Sequence, residues 1–195
     1  MPLSLRMQVI IYGQKIIKFI MKKYIVFLLL SILSIQTFAQ NANNNLAEKL
    51  GKHLVADINI GTGTKHNCMT TAMVIDVKLG WKVTERLYPF ANVESSRTLF
   101  EHANGNSWLK TNALGGGFGY TLSKATEKDR IQVDARGFVN AAIGDADWKR
   151  TSYNAELRLQ IYGFGTISGT YRYSKSNTTG LPDHSGIIFS IGLGL

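Results

Sequence analysis

The stretch "ELRLQIY", residues 156–162, alternates between polar and apolar side chains without interruption. Two sets of residues fall on opposite sides of an extended chain: Glu156, Arg158, Gln160 and Tyr162 against Ala155, Leu157, Leu159 and Ile161. A strand with this pattern separates two unlike environments. A water-soluble barrel turns the leucines inward, whereas a membrane barrel turns them toward lipid and encloses the charges. The function of the chain depends on which face is inside.

Length and charge limit the classes of protein to consider. The 195 residues suggest one domain with some additional sequence. The formal charge of +9 is uneven, because five of the 22 bases and none of the 13 acids precede residue 40, which leaves 17 bases against 13 acids, or +4, beyond it. The basic character is therefore weak support for nucleic-acid binding, which we do not predict. The single Cys68 excludes an internal disulfide framework.

The segment "MKKYIVFLLLSILSIQTFAQ", residues 21–40, has the order of a secretory signal peptide. Two lysines precede an apolar run that is too short for the ~20 residues of a spanning helix, and small residues follow at the cleavage position. An uncleaved anchor helix is the alternative. We predict four parts: an upstream extension or misassigned start over 1–20, a signal peptide over 21–39, a polar tether over 40–53 and a barrel domain over 54–195.

Eight extended segments follow from Leu54, with turn residues between them. They cover residues 54–61, 72–83, 86–96, 108–122, 131–141, 155–162, 166–174 and 187–195. Several reach the ~9–11 residues of a tilted membrane strand, whereas soluble strands typically have ~5–6. An even number of strands without an interrupting helix predicts a closed antiparallel up-and-down barrel. Pro89, inside the third segment, predicts a bulge or a weakened pairing there.

The junctions between segments alternate in character. The first, third, fifth and seventh are polar and often longer, and they include "GDADWK" at 144–149 and "KSNTTGLPDHSG" at 175–186. In an outer-membrane barrel both chain ends start in the periplasm, so these four junctions lie outside the cell.

The charges on the polar face are nearly balanced. The predicted interior network contains Asp57, Asp76, Lys78, Asp134, Arg136, Glu156, Arg158 and Arg172, to which the irregular third segment adds Glu94 and Arg86. An eight-stranded barrel is just wide enough to be filled by side chains, and a neutral set leaves no unpaired ion there. The balance therefore favours an interior closed by salt bridges.

Aromatic residues on the apolar face favour a membrane environment. They fall near the two ends of the predicted strands: Trp81, Phe118 and Tyr120 near the periplasmic end, and Trp108, Tyr153, Tyr171 and Tyr173 near the outer end. Between them the face carries small and aliphatic residues. Two membrane interfaces select aromatic rings in such positions, whereas a soluble barrel would use large rings to fill its centre.

With its signal peptide, its eight strands, "LGGGFGYTL" at 114–122 and the terminal "IIFSIGLGL" at 187–195, the chain resembles the small bacterial outer-membrane β-barrel proteins of the OmpA/OmpX-like families. The resemblance implies a monomer in the outer membrane that contacts its lipids and is inserted by the barrel-assembly machinery. One difference is Leu195, since such barrels usually finish with an aromatic residue. The leader ending "FAQ" is similar to those of Bacteroidota secreted proteins.

No segment predicts a catalytic, cofactor or metal site. The glycines 115–117 lack the helix and lysine of a phosphate loop, and "PDHSG" at 182–186 is read as a polar turn rather than a Ser–His–acid triad. His66, His102 and His184 fall in outer loops, where a shared metal is one hypothesis and solvated side chains are the favoured one.

These observations predict a non-enzymatic outer-membrane barrel with a plugged interior rather than a general porin. Its role would be structural, or surface interaction with a ligand through the outer loops. Two alternatives stay open: a soluble lipocalin-like barrel that binds a small apolar ligand, and an outer-membrane enzyme that modifies lipids.

Overall fold

The computed structural model describes residues 53–66, 68–102, 105–126 and 130–195. The predicted extension, signal peptide and nearly all of the tether lie outside the described residues. Within the described part of the chain, no helix has the length and the apolar composition to cross a membrane.

Strands make up most of the described residues. They are β1 (Leu54–Gly63), β2 (Lys65–His66), β3 (Met69–Trp81), β4 (Leu87–His102), β5 (Gly105–Ser123), β6 (Ile131–Ile143), β7 (Arg150–Ile161), β8 (Gly165–Ser176) and β9 (His184–Gly194). Eight of these strands are long, and β2 is a two-residue strand that pairs with the start of β3. We call the end of the barrel at which β1 begins the base, and the opposite end, at which β1 ends, the rim.

The eight long strands form a closed antiparallel wall. Each pairs with its neighbours in chain order, and β1 pairs with both β3 and β9. Closure gives every strand two partners and leaves no full-length edge that could pair with another chain. The predicted all-β, eight-stranded up-and-down barrel is therefore confirmed.

Strand β7 shows which face is inside. Its buried residues are all polar: Arg150, Ser152, Asn154, Glu156, Arg158 and Gln160. The residues between them face outward, and Leu157 is 58% exposed whereas Arg158 is 1% exposed. Because folded soluble proteins bury leucine and expose arginine, this wall is inverted relative to a soluble barrel.

Of the two outcomes predicted for Pro89, the bulge was wrong, and the weakened pairing occurs only on the side of β3. Pro89 pairs in unbroken register with Phe118 of β5. It lies one residue beyond the last β3–β4 pair, Gly80 with Phe90, so on that side there is no ladder bond for its missing N–H to break. The irregularities in register occur elsewhere, at 71–73 and at 121–123.

The β4–β5 pair extends beyond β6 at the rim. Its ladder continues to His102 and Gly105, whereas the pairing of β5 with β6 begins only at Asn112 with Ile143. Residues 96–102 and 105–111 therefore form a hairpin that projects past β6, which we call the projecting hairpin, while its β4 strand stays paired with β3 as far as Phe100. The sequence segments predicted here were shorter, because residues 97–107 lack a clear alternation of polar and apolar side chains.

Glycines of β5 make room for large interior side chains. A Cβ on Gly115 would collide with Asn140, one on Gly117 would collide with the backbone and Cβ of residues 137–138, and one on Gly119 would collide with the Tyr88 ring. The glycine run is thus explained by close approach inside the barrel, in agreement with a strand rather than a phosphate loop.

We expect Gly119→Ala to destabilise the barrel by about 1–3 kcal/mol, because the added methyl overlaps the fully buried Tyr88 ring. Gly137→Ala is the matched control, since a Cβ there meets no atom within 4 Å. Urea unfolding of both variants after refolding into lipid vesicles measures the difference. Equal midpoints for the two variants would contradict the packing role of Gly119.

Candidate functional site

The barrel interior holds the predicted charge network. All eight residues predicted for it are on inward-facing strand positions and are at most 7% exposed: Asp57, Asp76, Lys78, Asp134, Arg136, Glu156, Arg158 and Arg172. Glu94 is also inside, at 2% exposed. The period-2 alternation of the strands places them there, since each lies on the face opposite the lipophilic residues.

Arg86 is not a member of this network, and Arg150 is. Arg86 is exposed in the turn between β3 and β4, whereas Arg150 begins β7 and is 1% exposed. Sequence reasoning missed Arg150 because "GDADWK" just before it reads as a loop. The sequence did contain a signal for Arg150. Arg150 lies an even number of positions from Glu156 and Arg158, so an extended chain places all three on the same face. With Arg150, the described residues place five acids and five bases in the interior, whose charges sum to zero.

Asp57 is the centre of the first group of ions. Its two oxygens pair with Arg136 at 2.5 Å and with Arg158 at 2.6 Å. Arg158 also donates to Asp134 at 2.7 Å. One carboxylate of β1 is thereby joined to β6 and β7 on another part of the wall, so these contacts cross the lumen.

Glu156 extends this group toward β3. It accepts hydrogen bonds from Arg136 at 3.1 Å and from Lys78 at 3.0 Å, and Lys78 also donates to Asp76 at 2.8 Å. The seven residues Asp57, Asp76, Lys78, Asp134, Arg136, Glu156 and Arg158 form the inner cluster. Its four acids and three bases give a formal charge of −1.

The remaining three ions form an outer cluster nearer the rim: Glu94, Arg150 and Arg172. Arg172 donates to both oxygens of Glu94, at 2.9 and 2.6 Å, and Arg150 donates to the same carboxylate at 2.8 Å. The formal charge of the outer cluster is +1, which balances the charge of −1 on the inner cluster. Among the described residues, no ion pair joins the two clusters.

Trp148 closes the rim above the outer cluster. Its side chain is fully buried, its indole N–H donates to Ser176 at 3.1 Å, and the Arg150 guanidinium lies 4.7 Å from its ring centroid. Thr111 donates to its carbonyl at 3.0 Å. The β6–β7 junction, predicted as a solvated outer loop, therefore turns an aromatic side chain inward as a lid on the ions.

The three histidines predicted in outer loops lie at the ends of strands instead. His184 is the first residue of β9 rather than part of a turn, and it is 3% exposed, with its ring 6.3 Å from that of Trp148 and 6.0 Å from that of His66. His102 ends β4. Among the described residues, no group of three or more histidine, cysteine or carboxylate side chains is arranged to hold a metal ion.

Asp183 does not form a triad with its neighbours in sequence. One of its oxygens accepts from the Ser176 N–H at 2.7 Å and the other from the Tyr173 hydroxyl at 2.8 Å. These hydrogen bonds, the Ser176 one first, lower the pKa of the Asp183 carboxyl. Both oxygens are thus engaged at the surface, while the adjacent His184 is buried inside.

The predicted interface aromatics all lie on the outside of the wall. They are between 40% and 63% exposed: Trp81, Trp108, Phe118, Tyr120, Tyr153, Tyr171 and Tyr173. The alternation put Tyr162 on the polar face with Arg158, but Tyr162 lies in the turn after β7, where it and Phe164 add exposed rings at the base. Three further rings, those of Tyr88, Phe90 and Phe138, lie inside the barrel. Phe90 and Phe138 meet edge to face with their ring centroids 5.6 Å apart, and the Arg136 guanidinium lies 5.5 Å from the Tyr88 ring centroid.

Comparisons with known proteins concern the fold. No family model matches the chain, and no curated protein matches it in sequence. It is similar to the backbone structure of the Yersinia pestis outer membrane protein Ail in a phospholipid bilayer nanodisc, with 11% identity, a TM-score of 0.44 and coverage of 74% of this chain and 99% of that chain. It is also similar to the crystal structure of the outer membrane enzyme PagL, with 12% identity, a TM-score of 0.42 and coverage of 71% and 98%.

We expect Glu94→Gln to cost about 3–5 kcal/mol of unfolding free energy, because it leaves Arg150 and Arg172 buried beside each other without their shared carboxylate. Glu101→Gln is the control, since Glu101 pairs with Lys65 at the surface, where ion pairs contribute little. Urea unfolding in vesicles measures both. A loss for Glu94→Gln no larger than that of the control would mean that the outer cluster does not stabilise the barrel.

Proposed function

We propose that the chain is an outer-membrane β-barrel protein with a plugged interior, and that its role is structural or one of surface contact rather than catalysis. The observation that carries the proposal is the inverted burial of the wall. Leu157, Phe189 and Ile191 are each more than half exposed, while ten ions are enclosed. A continuous apolar wall of this kind is stable in contact with acyl chains and unfavourable in water.

The positions of the aromatic residues support the same environment. Tyr153 and Tyr173 stack at 6.4 Å near the rim, and Trp81 and Tyr162 are exposed near the base. Amphipathic rings at both limits of an apolar band are typical of two lipid–water interfaces. A signal peptide over 21–39 would supply the export that insertion into the outer membrane requires.

The lipocalin-like alternative does not agree with the interior. An apolar ligand needs an apolar cavity, whereas the lumen is filled by ion pairs and their polar partners. The space beside Arg172 and His184 at the rim is too small to admit a water molecule. Asp183 and His184 give the lipid-modifying alternative no support, because Asp183 contacts Ser176 and Tyr173 at the surface while His184 is buried inside.

The projecting hairpin is the element best placed for surface contact. The register of β5 with β6 begins at Asn112, and on the rim side of that pair Trp108 is 59% exposed. Hairpins and loops that a rigid scaffold holds at the surface are common sites of binding. We therefore propose the hairpin as the surface through which a ligand is bound, on a barrel that is a monomer and that the assembly machinery inserts.

The location of the protein is tested by fractionation of cells that express the full chain. We expect it in the envelope pellet, with gel migration that changes on heating. Leu157→Lys should reduce the folded fraction and cost about 2–4 kcal/mol, because it places a charge on the lipid face of the wall. Thr179→Lys, in an exposed rim loop, is the control and should behave as the unmodified protein.

The soluble reading makes the opposite prediction. If the wall faced water, the chain would remain in the soluble fraction and Leu157→Lys would improve its solubility. Either result would exclude the proposed location.

The plugged interior is tested by conductance in planar bilayers. We expect no large, steady channels from the refolded protein, because two ion clusters and Trp148 occupy the lumen. A large porin reconstituted in the same bilayer is the positive control. Steady conductance comparable to that of the porin would contradict the plug while leaving the membrane location intact.

A further inference from the structure

Two basic side chains face each other on the outside of the wall. Arg97 of β4 and Lys110 of β5 are direct register partners, and both are exposed on the lipid-facing side. Neither side chain makes an ion pair among the described residues. Asp147 accepts a hydrogen bond from the backbone N–H of Lys110 rather than from its side chain. Like charges directly opposite each other destabilise an antiparallel pair, so this arrangement needs an explanation.

The pair lies just beyond the apolar band of the wall. The outward face of β5 is apolar from Leu114 to Leu122, about nine residues, which is enough to cross the hydrocarbon core of a bilayer. Moving toward the rim, the next outward pair is Ser95 with Asn112, whose side chains lie 3.0 Å apart, and then come Arg97 and Lys110. The first polar positions of this hairpin are therefore at the depth of the lipid headgroups.

We propose that Arg97 and Lys110 together bind a phosphate group of an outer-leaflet lipid. The inference rests on the proposed outer-membrane location. A phosphate placed between the two side chains would remove their repulsion, since the guanidinium can donate two parallel hydrogen bonds and the ammonium adds a compact positive charge. The adjacent Trp108, exposed on the same face of β5, gives the site an interfacial ring on its rim side.

The experiment measures lipid retention by native mass spectrometry of the refolded protein in a phosphate-free maltoside detergent. The probes are lipid A with its phosphates, the same lipid after dephosphorylation, and inorganic phosphate. We expect phosphorylated lipid A to be retained by the unmodified protein and to bind at least tenfold more weakly to the double variant Arg97→Gln, Lys110→Gln. The double variant Lys149→Gln, Lys175→Gln removes two other exposed rim charges and should bind within twofold of the unmodified protein.

A second variant tests the site through stability. Lys110→Glu places a carboxylate opposite Arg97, so it should raise the unfolding midpoint in uncharged detergent while abolishing retention of lipid A. A higher unfolding midpoint together with a loss of lipid A retention would not result from a folding defect. It keeps the proposal testable if the double glutamine variant does not fold.

Three results would overturn the proposal: equal retention of lipid A by both double variants, equal retention of the dephosphorylated lipid, or binding of inorganic phosphate as tight as that of lipid A. The last would assign the site to free phosphate rather than to a lipid. These failures differ from a failure of the proposed location, because a barrel that still fractionates with the envelope would retain its membrane role without this lipid site.

Discussion

The pairing of Asp57 with Arg136 and Arg158 is the interaction on which the interior depends. A charge enclosed in a narrow barrel loses its hydration, and the loss is offset only if an opposite charge and hydrogen bonds replace the water. Asp57 has two such partners, and the chain of contacts continues from them to the other ions of the inner cluster. The fold therefore tolerates a charged lumen because every buried carboxylate has a base within reach.

The two faces of the wall follow from this one constraint. Once the polar side of each strand is filled with paired ions, the apolar side must face outward, and lipid is the medium in which that face is stable. Packing inside is equally tight, since Gly117 and Gly119 carry no side chain at points where Phe138 and Tyr88 fill the space. The glycines and the ions thus serve the same purpose, which is a lumen filled by side chains.

Much of the fold could be read from the chain because its alternation has a period of two over long segments. The same alternation could not locate Arg150 or Trp148, because they follow acidic and small residues that are typical of a loop. The length of the β4–β5 hairpin was also missed, since residues beyond Ser96 are mixed in polarity. Without that length the register is unknown, so no sequence argument could have placed Arg97 opposite Lys110.

The contact between Asp57 and Arg158 also has a consequence for how the barrel is made. It spans 101 positions of sequence and joins the first strand to a strand near the end of the chain. These ions cannot neutralise each other until the late strands arrive, so an incomplete sheet would carry bare charges into hydrocarbon. If the chain is inserted into a membrane as we propose, insertion is expected to be concerted, with the ions remaining hydrated until the seam between the first and last strands closes.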